Sequence, residues 1–154
     1  MTEQSIIKDL FLKWGKSGIS ACNMYYYRFE SDMITLSKSG YITEYEVKLT
    51  KSDFYADLKK TAIHNRKSIT RHNMLISGQA ANRFYYVLPK GMVPEEDIPK
   101  WAGIIYIRPA DKWNEPALTI YRAAPRIHGN KAHEKAENKI LTCMYWKSWR
   151  NITL

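Results

Sequence analysis

Four side chains in this sequence have types and spacing that could do chemistry: Asp32, and Glu44, Glu46 and Lys48 within YITEYEVKL (Tyr41–Leu49). Tyr45, Val47 and Leu49 alternate with Glu44, Glu46 and Lys48, and strand residues two apart share a face. Two carboxylates and an ammonium therefore project together. The alternative is the solvated side of a half-buried sheet, where such alternation needs no site. Just upstream, DMITL and YITEYEVKL flank SKSG, and Gly40 offers the positive φ that a three-residue hairpin loop requires. With Lys38, Ser39 and Gly40 as the loop, Ser37 faces Tyr41 and Asp32 falls opposite Glu46. A two- or four-residue loop would put the two acids out of line. Directly opposed residues have Cβ atoms about 5 Å apart, and like charges there repel. A cation between the two carboxylates would remove that penalty.

Oxygen ligands of this kind suit a hard divalent ion, Mg²⁺ or Mn²⁺, held by one or two carboxylates with water and substrate phosphate completing its shell. Lys48, two residues beyond Glu46 on the same face, would reach the same place, where an ammonium can position an attacking water and offset phosphorane charge. Glu3 shares a helical face with Ile7, Leu10 and Trp14 and is a further candidate ligand. At a helix start it can equally serve the helix dipole. Lys59, Lys60, Arg66, Lys67, Arg71 and His72 form the densest basic cluster. Read as helical, Lys60, Lys67 and Arg71 fall near one face, either a stripe for a phosphate backbone or an ordinary solvated surface. The histidines lack metal-ligand companions at useful spacing, so a zinc site is not expected.

The elements that must position these residues are legible in outline. Glu3 to Trp14 reads as an amphipathic helix ended by Gly15 and Gly18. MYYYRF (Met24–Phe29) reads as a strand, followed by the Asp32–Leu49 hairpin. Thr50 caps a helix expected from about Lys51 to Ile63, burying Phe54, Leu58 and Ala62. A second, basic helix is expected from about Lys67 to Ser77. RFYYVLP, AGIIYIRP and ALTIYRA read as three more strands, with a Pro- and acid-rich surface loop between the first two. A helix from about Lys131 to Trp149 finishes the chain, docked by Ile140, Met144, Trp146 and Trp149. The sum is a single α/β domain, 1–154, with a mixed central sheet flanked by helices.

Composition narrows the function classes. The 154 residues are 45% hydrophobic and 25% charged, which is globular rather than disordered. No apolar run reaches the roughly 20 residues that span a bilayer. The N-terminus lacks a signal peptide's features, so a cytoplasmic protein with Cys22 and Cys143 as free thiols is expected. Lys and Arg outnumber Asp and Glu 24 to 15, a net charge of +9 that favours a polyanionic partner.

The set Asp32, Glu46, Val47 and Lys48 resembles the D-x(13)-E-x-K signature of the PD-(D/E)XK nuclease superfamily. The following KLTKSDFYADLKK, NRFYYVLPKGMVPEEDIPKWAGIIYI and, more faintly, RAAPRIHGN resemble the MmcB-like DNA-repair members and related phage-type proteins. The likeness runs from about Asp32 to Asn130. It implies a restriction-endonuclease-like core and hydrolysis of phosphodiester bonds with Mg²⁺ or Mn²⁺. The substrate is nucleic acid, DNA before RNA, in repair, recombination or phage and mobile-element DNA processing. By the same resemblance Asp32, Glu46 and the Val47 carbonyl hold the ion, Glu3 matches an acidic residue of the family's first helix, and Lys48 serves the attacking water. Asp57 and Lys59 match the following helix, where a basic side chain faces the site or the phosphate backbone. Ser31 stands where the superfamily's name has proline. Two competing classes share the basic surface: a nucleic-acid-binding module that keeps the fold without cleaving, and an interaction protein whose charge serves a protein partner.

Overall fold

The hairpin turn that Gly40 permits is present in the structure, a computed structural model describing residues 1–114 and 117–151. The Ser37 N–H donates to the Tyr41 carbonyl at 2.9 Å and the Gly40 N–H to the Ser37 carbonyl at 3.0 Å, with Gly40 at φ 89°. The chain runs α1 (Glu3–Lys13), β1 (Ile19–Met24), β2 (Ser31–Leu36), β3 (Ile42–Val47), α2 (Lys51–Lys59), β4 (Thr61–His64) and β5 (Lys67–Thr70). It continues through α3 (Arg71–Ile76), β6 (Arg83–Pro89), β7 (Gly103–Arg108), β8 (Ala117–Arg122) and α4 (Ala136–Arg150).

A six-stranded sheet in the order β1-β2-β3-β6-β7-β8 forms the centre, and β4 pairs with β5 in a separate two-stranded ribbon. β3, β6 and β7 are mutually parallel, while the β1–β2, β2–β3 and β7–β8 pairs are antiparallel. The sheet is mixed, as the sequence implies. Alternation along the strands sorts the core into two layers. Odd-numbered Met33, Tyr45, Val47, Val87, Ile105 and Ile107 pack with Ile6, Ile7 and Leu10 of α1. Even-numbered Ile34, Leu36, Ile42, Phe84, Tyr86 and Ile104 pack with Phe54 of α2, Met74 and Leu75 of α3, and Ile140 of α4. Each such side chain, fully buried, contributes about 1.5–3 kcal/mol against the entropy of ordering it.

Several elements differ from their sequence reading. The strand before the hairpin is Ile19–Met24, because its register with β2 ends on Met24 opposite Ser31. Residues 25–30 then make the connection, so MYYYRF is not a strand. The helix capped by Thr50 stops at Lys59, where Lys60 turns extended (φ −63°, ψ 133°). The β-branched Thr61, Ile63, Ile69 and Thr70 prefer strands, and Asn65 and Arg66, both at positive φ (50° and 62°), supply the tight turn between them. The expected basic helix from Lys67 is therefore strand β5 up to Thr70, whose hydroxyl accepts from the Asn73 N–H and starts α3. The last helix starts later than expected, at Ala136, since the Ala132 N–H is tied to the Gly40 carbonyl at 2.8 Å. Its inward face is Ala136, Ile140, Cys143 and Met144, whereas Trp146 and Trp149 stay exposed. Both cysteines are free thiols. Among the described residues no helix is long and apolar enough to cross a membrane.

Candidate active site

The strand register carries the site. Met33 lies opposite Tyr45 and Ile34 opposite Glu44, which puts Asp32 across from Glu46. Asp32 turns its carboxylate onto β3, and its Oδ2 accepts the Val47 N–H at 2.6 Å. Lys48 Nζ donates to Glu46 Oε1 at 2.7 Å and stands 3.5 Å from Asp57 Oδ1. Asp32 thus sits on the backbone of β3 next to the Glu46–Lys48 pair and feels the charge of both.

Beneath them lies a buried ionic network that spacing alone did not reveal. Glu44 accepts from Ser31 Oγ at 2.7 Å and from Arg71 Nη1 at 2.8 Å through the same Oε1. Arg71 Nη2 sits 3.3 Å from Asp57 Oδ1 and 3.5 Å from Glu46 Oε2. Asp57 Oδ2 in turn accepts the Tyr86 hydroxyl at 2.8 Å. The Arg71 guanidinium lies between the Phe29 and Phe84 rings, 5.1 and 5.2 Å from their centroids, a setting that suits its planar cation. Ser31 thus serves here as a donor to Glu44.

Arg71 corrects an expectation. Only 4% exposed, it is no part of a surface stripe for a phosphate backbone; α3 begins at Arg71 and delivers it into the carboxylates. Lys59, Lys60 and Lys67 are exposed around the β4–β5 ribbon, but on a helix end and a strand rather than one helical face. Glu3 is exposed in the first turn of α1, and its charge is felt by Asp32. Val47 sends its side chain into the opposite core layer. Asp57, named by the resemblance alone, follows Phe54 by three residues, and both are the buried positions of α2.

Burial and charge set the protonation states. Asp32 is pushed up to about 7, chiefly by loss of solvent and then by the Glu46 charge, with the Val47 N–H and Lys48 opposing. Glu44 is raised by burial, against the pull of Arg71 and Ser31. For Lys48, burial favours the neutral amine, but Glu46 and Asp57 outweigh it and its pKa is raised, so it remains an ammonium. When ionised, the four carboxylates Asp32, Glu44, Glu46 and Asp57 face two cations, Lys48 and Arg71, and leave net negative charge.

The residues fit a divalent ion in kind. Glu46 Oε2 is buried and accepts no hydrogen bond, with the Arg71 guanidinium 3.5 Å away as its ionic partner, and the candidate set is oxygen only. Among the described residues no three Asp, Glu, His or Cys side chains are arranged to hold an ion. A bound ion would then take few side-chain ligands and fill its shell with water and phosphate, as Mg²⁺ does.

Asp32 gives a pH prediction for the metal-free protein. Its folded pKa lies above its unfolded value, so its contribution to stability is full below pH ~4 and is lost as pH rises through about 7. Asp32→Asn removes that dependence. Relative to the parent, the variant gains stability between pH 5 and pH 8, on the order of a few kcal/mol, read from urea denaturation at both pH values. Equal gaps at the two pH values would mean that Asp32 is solvated.

Comparison with known proteins adds the fold and no more. The sequence matches no protein-family model and no curated protein. In structure the chain is similar to the "SPO1766 protein of unknown function" from Silicibacter pomeroyi, with a TM-score of 0.56 and 18% identity over 96% of this chain and 83% of that one.

Proposed function

We propose that this protein is a metal-dependent nuclease that hydrolyses phosphodiester bonds in nucleic acid, DNA before RNA, on a restriction-endonuclease-like core. The observation that carries the reading is the Asp32 carboxylate held on the Val47 N–H beside the Glu46–Lys48 pair, at one end of β2 and β3. Asp32, Glu46 and the Val47 carbonyl would hold Mg²⁺ or Mn²⁺, which when bound supplies Lewis acidity toward water and a phosphoryl oxygen. The chain's own part is distinct. Glu46 and Asp57 hold the Lys48 ammonium in place, where it donates to the attacking water or to the phosphoryl oxygens as negative charge builds. Arg71 and Ser31 keep Glu44 and Glu46 in position below. Exposed Lys59, Lys60 and Lys67, within a net charge of +9, favour a phosphate backbone as substrate. Repair, recombination or phage-type DNA processing are the settings in keeping with it.

A second reading, binding of nucleic acid without cleavage, is favoured by Arg71, an internal cation already placed against Glu44, Glu46 and Asp57. The test is hydrolysis of single- and double-stranded DNA with Mg²⁺ or Mn²⁺ and with EDTA, beside calorimetric titration of Mn²⁺. Metal-dependent cleavage is expected, with Mn²⁺ affinity falling at least about tenfold in Glu46→Gln. Salt-dependent DNA binding with neither cleavage nor Mn²⁺ uptake would establish the second reading instead.

A further inference from the structure

A cavity of about 440 Å³ opens directly beside the carboxylates, within the roughly 300–1,000 Å³ of small-ligand sites. Asp57, Arg71 and Tyr86 of the ionic network line it, together with His72, Lys100 and Trp101. Its aromatic wall is firmly backed. Trp101 packs edge-on against Phe84 with centroids 5.3 Å apart, lies 6.3 Å from Tyr86, and meets the His72 ring edge-to-face at 5.3 Å. Behind this wall Trp101 Nε1 and Arg71 Nε are buried and do not open into the cavity. His72 and Lys100 are exposed and supply basic groups at the edge.

We propose that this cavity is a nucleobase subsite, receiving an unpaired base of the strand whose phosphate lies at Lys48. A base brings a flat π-face for Trp101 and His72 and an attached phosphate for Lys100. The aromatic ring of a Phe or Tyr side chain brings no phosphate for Lys100. The subsite therefore makes the substrate single-stranded or locally opened, since a base stacked in a duplex cannot enter. This rests on the nuclease reading for the position of the phosphate, but its test needs no cleavage.

The full chain, labelled with ¹⁵N, is titrated with deoxyadenosine and thymidine 5′-monophosphates in EDTA. The indole N–H resonance of Trp101, identified by its loss in Trp101→Phe, is expected to shift saturably while those of Trp113, Trp146 and Trp149 do not. His72→Ala and Lys100→Ala, both at exposed positions, are expected to weaken the apparent affinity about fivefold or more. No saturable shift, or the same shift with inorganic phosphate alone, overturns the subsite. Saturable binding in a protein that cuts no DNA leaves the subsite standing and removes the nuclease reading. Cleavage at equal rates on single strands and duplex, with Trp101 unmoved, does the reverse.

Discussion

Replacing Arg71 by methionine is expected to destabilise the protein by about 3–5 kcal/mol at pH 8, the usual cost of removing one partner from a buried ionic cluster. Methionine keeps much of the volume between Phe29 and Phe84, so the loss reports charge rather than a cavity. Without the guanidinium, Glu44 loses a 2.8 Å donor, and Glu46 and Asp57 lose the cation at 3.5 and 3.3 Å. Burial already raises Glu44, and taking away Arg71 raises it further, so the folded variant holds protons that the unfolded chain releases. Its stability then falls as pH rises, and the deficit against the parent narrows toward pH 5. Glu44→Gln in the Arg71→Met background should recover part of the loss, a coupling that a double-mutant cycle measures. Lysine is no substitute, since it cannot present two donors in a planar fork to Glu44 and Asp57. A deficit under about 1 kcal/mol at both pH values would mean that solvent, not Arg71, neutralises these carboxylates.

The same residue marks the limit of what the sequence discloses. The hairpin was legible because its cause is local: Gly40 fixes the loop, the loop fixes the register, and the register puts Asp32 across from Glu46. The strands RFYYVLP and GIIYIR were legible because their runs of aromatic and branched residues have no helical period. Arg71 was misjudged because its environment is set by the β4–β5 ribbon, two short strands whose turn rests on positive φ at Asn65 and Arg66. Nothing in a helical reading of that basic segment turns one of its cations inward. Asp57 likewise gains its meaning from partners on other elements: Lys48 after β3, Arg71 of α3 and Tyr86 of β6. Local signals fixed the register that sets Asp32 across from Glu46. The charge balance around them is a tertiary property.

Under the proposed nuclease function, Lys48→Met is expected to lower kcat for DNA hydrolysis by about a hundredfold or more, the scale of losing a group that acts on developing charge. The argument turns on its protonation. Glu46 at 2.7 Å and Asp57 at 3.5 Å keep Lys48 an ammonium despite its burial, so it works as a donor and a positive charge rather than as a base. A fall in kcat with KM little changed is therefore the signature, because the interaction grows only as the phosphorane forms. Lys59→Ala and Lys67→Ala, at exposed positions beside the ribbon, should instead raise KM and leave kcat alone. Metal binding supplies an opposite sign. Removing a cation from beside Glu46 increases the negative potential at Asp32 and Glu46, so the variant should bind Mn²⁺ more tightly while cutting more slowly. A Lys48 that merely supports the structure would weaken both, through the displacement of Glu46. Calorimetry and single-turnover cleavage on one preparation decide between the two: tighter binding with slower cutting assigns Lys48 to the reaction, and a parallel decline in both returns it to the scaffold.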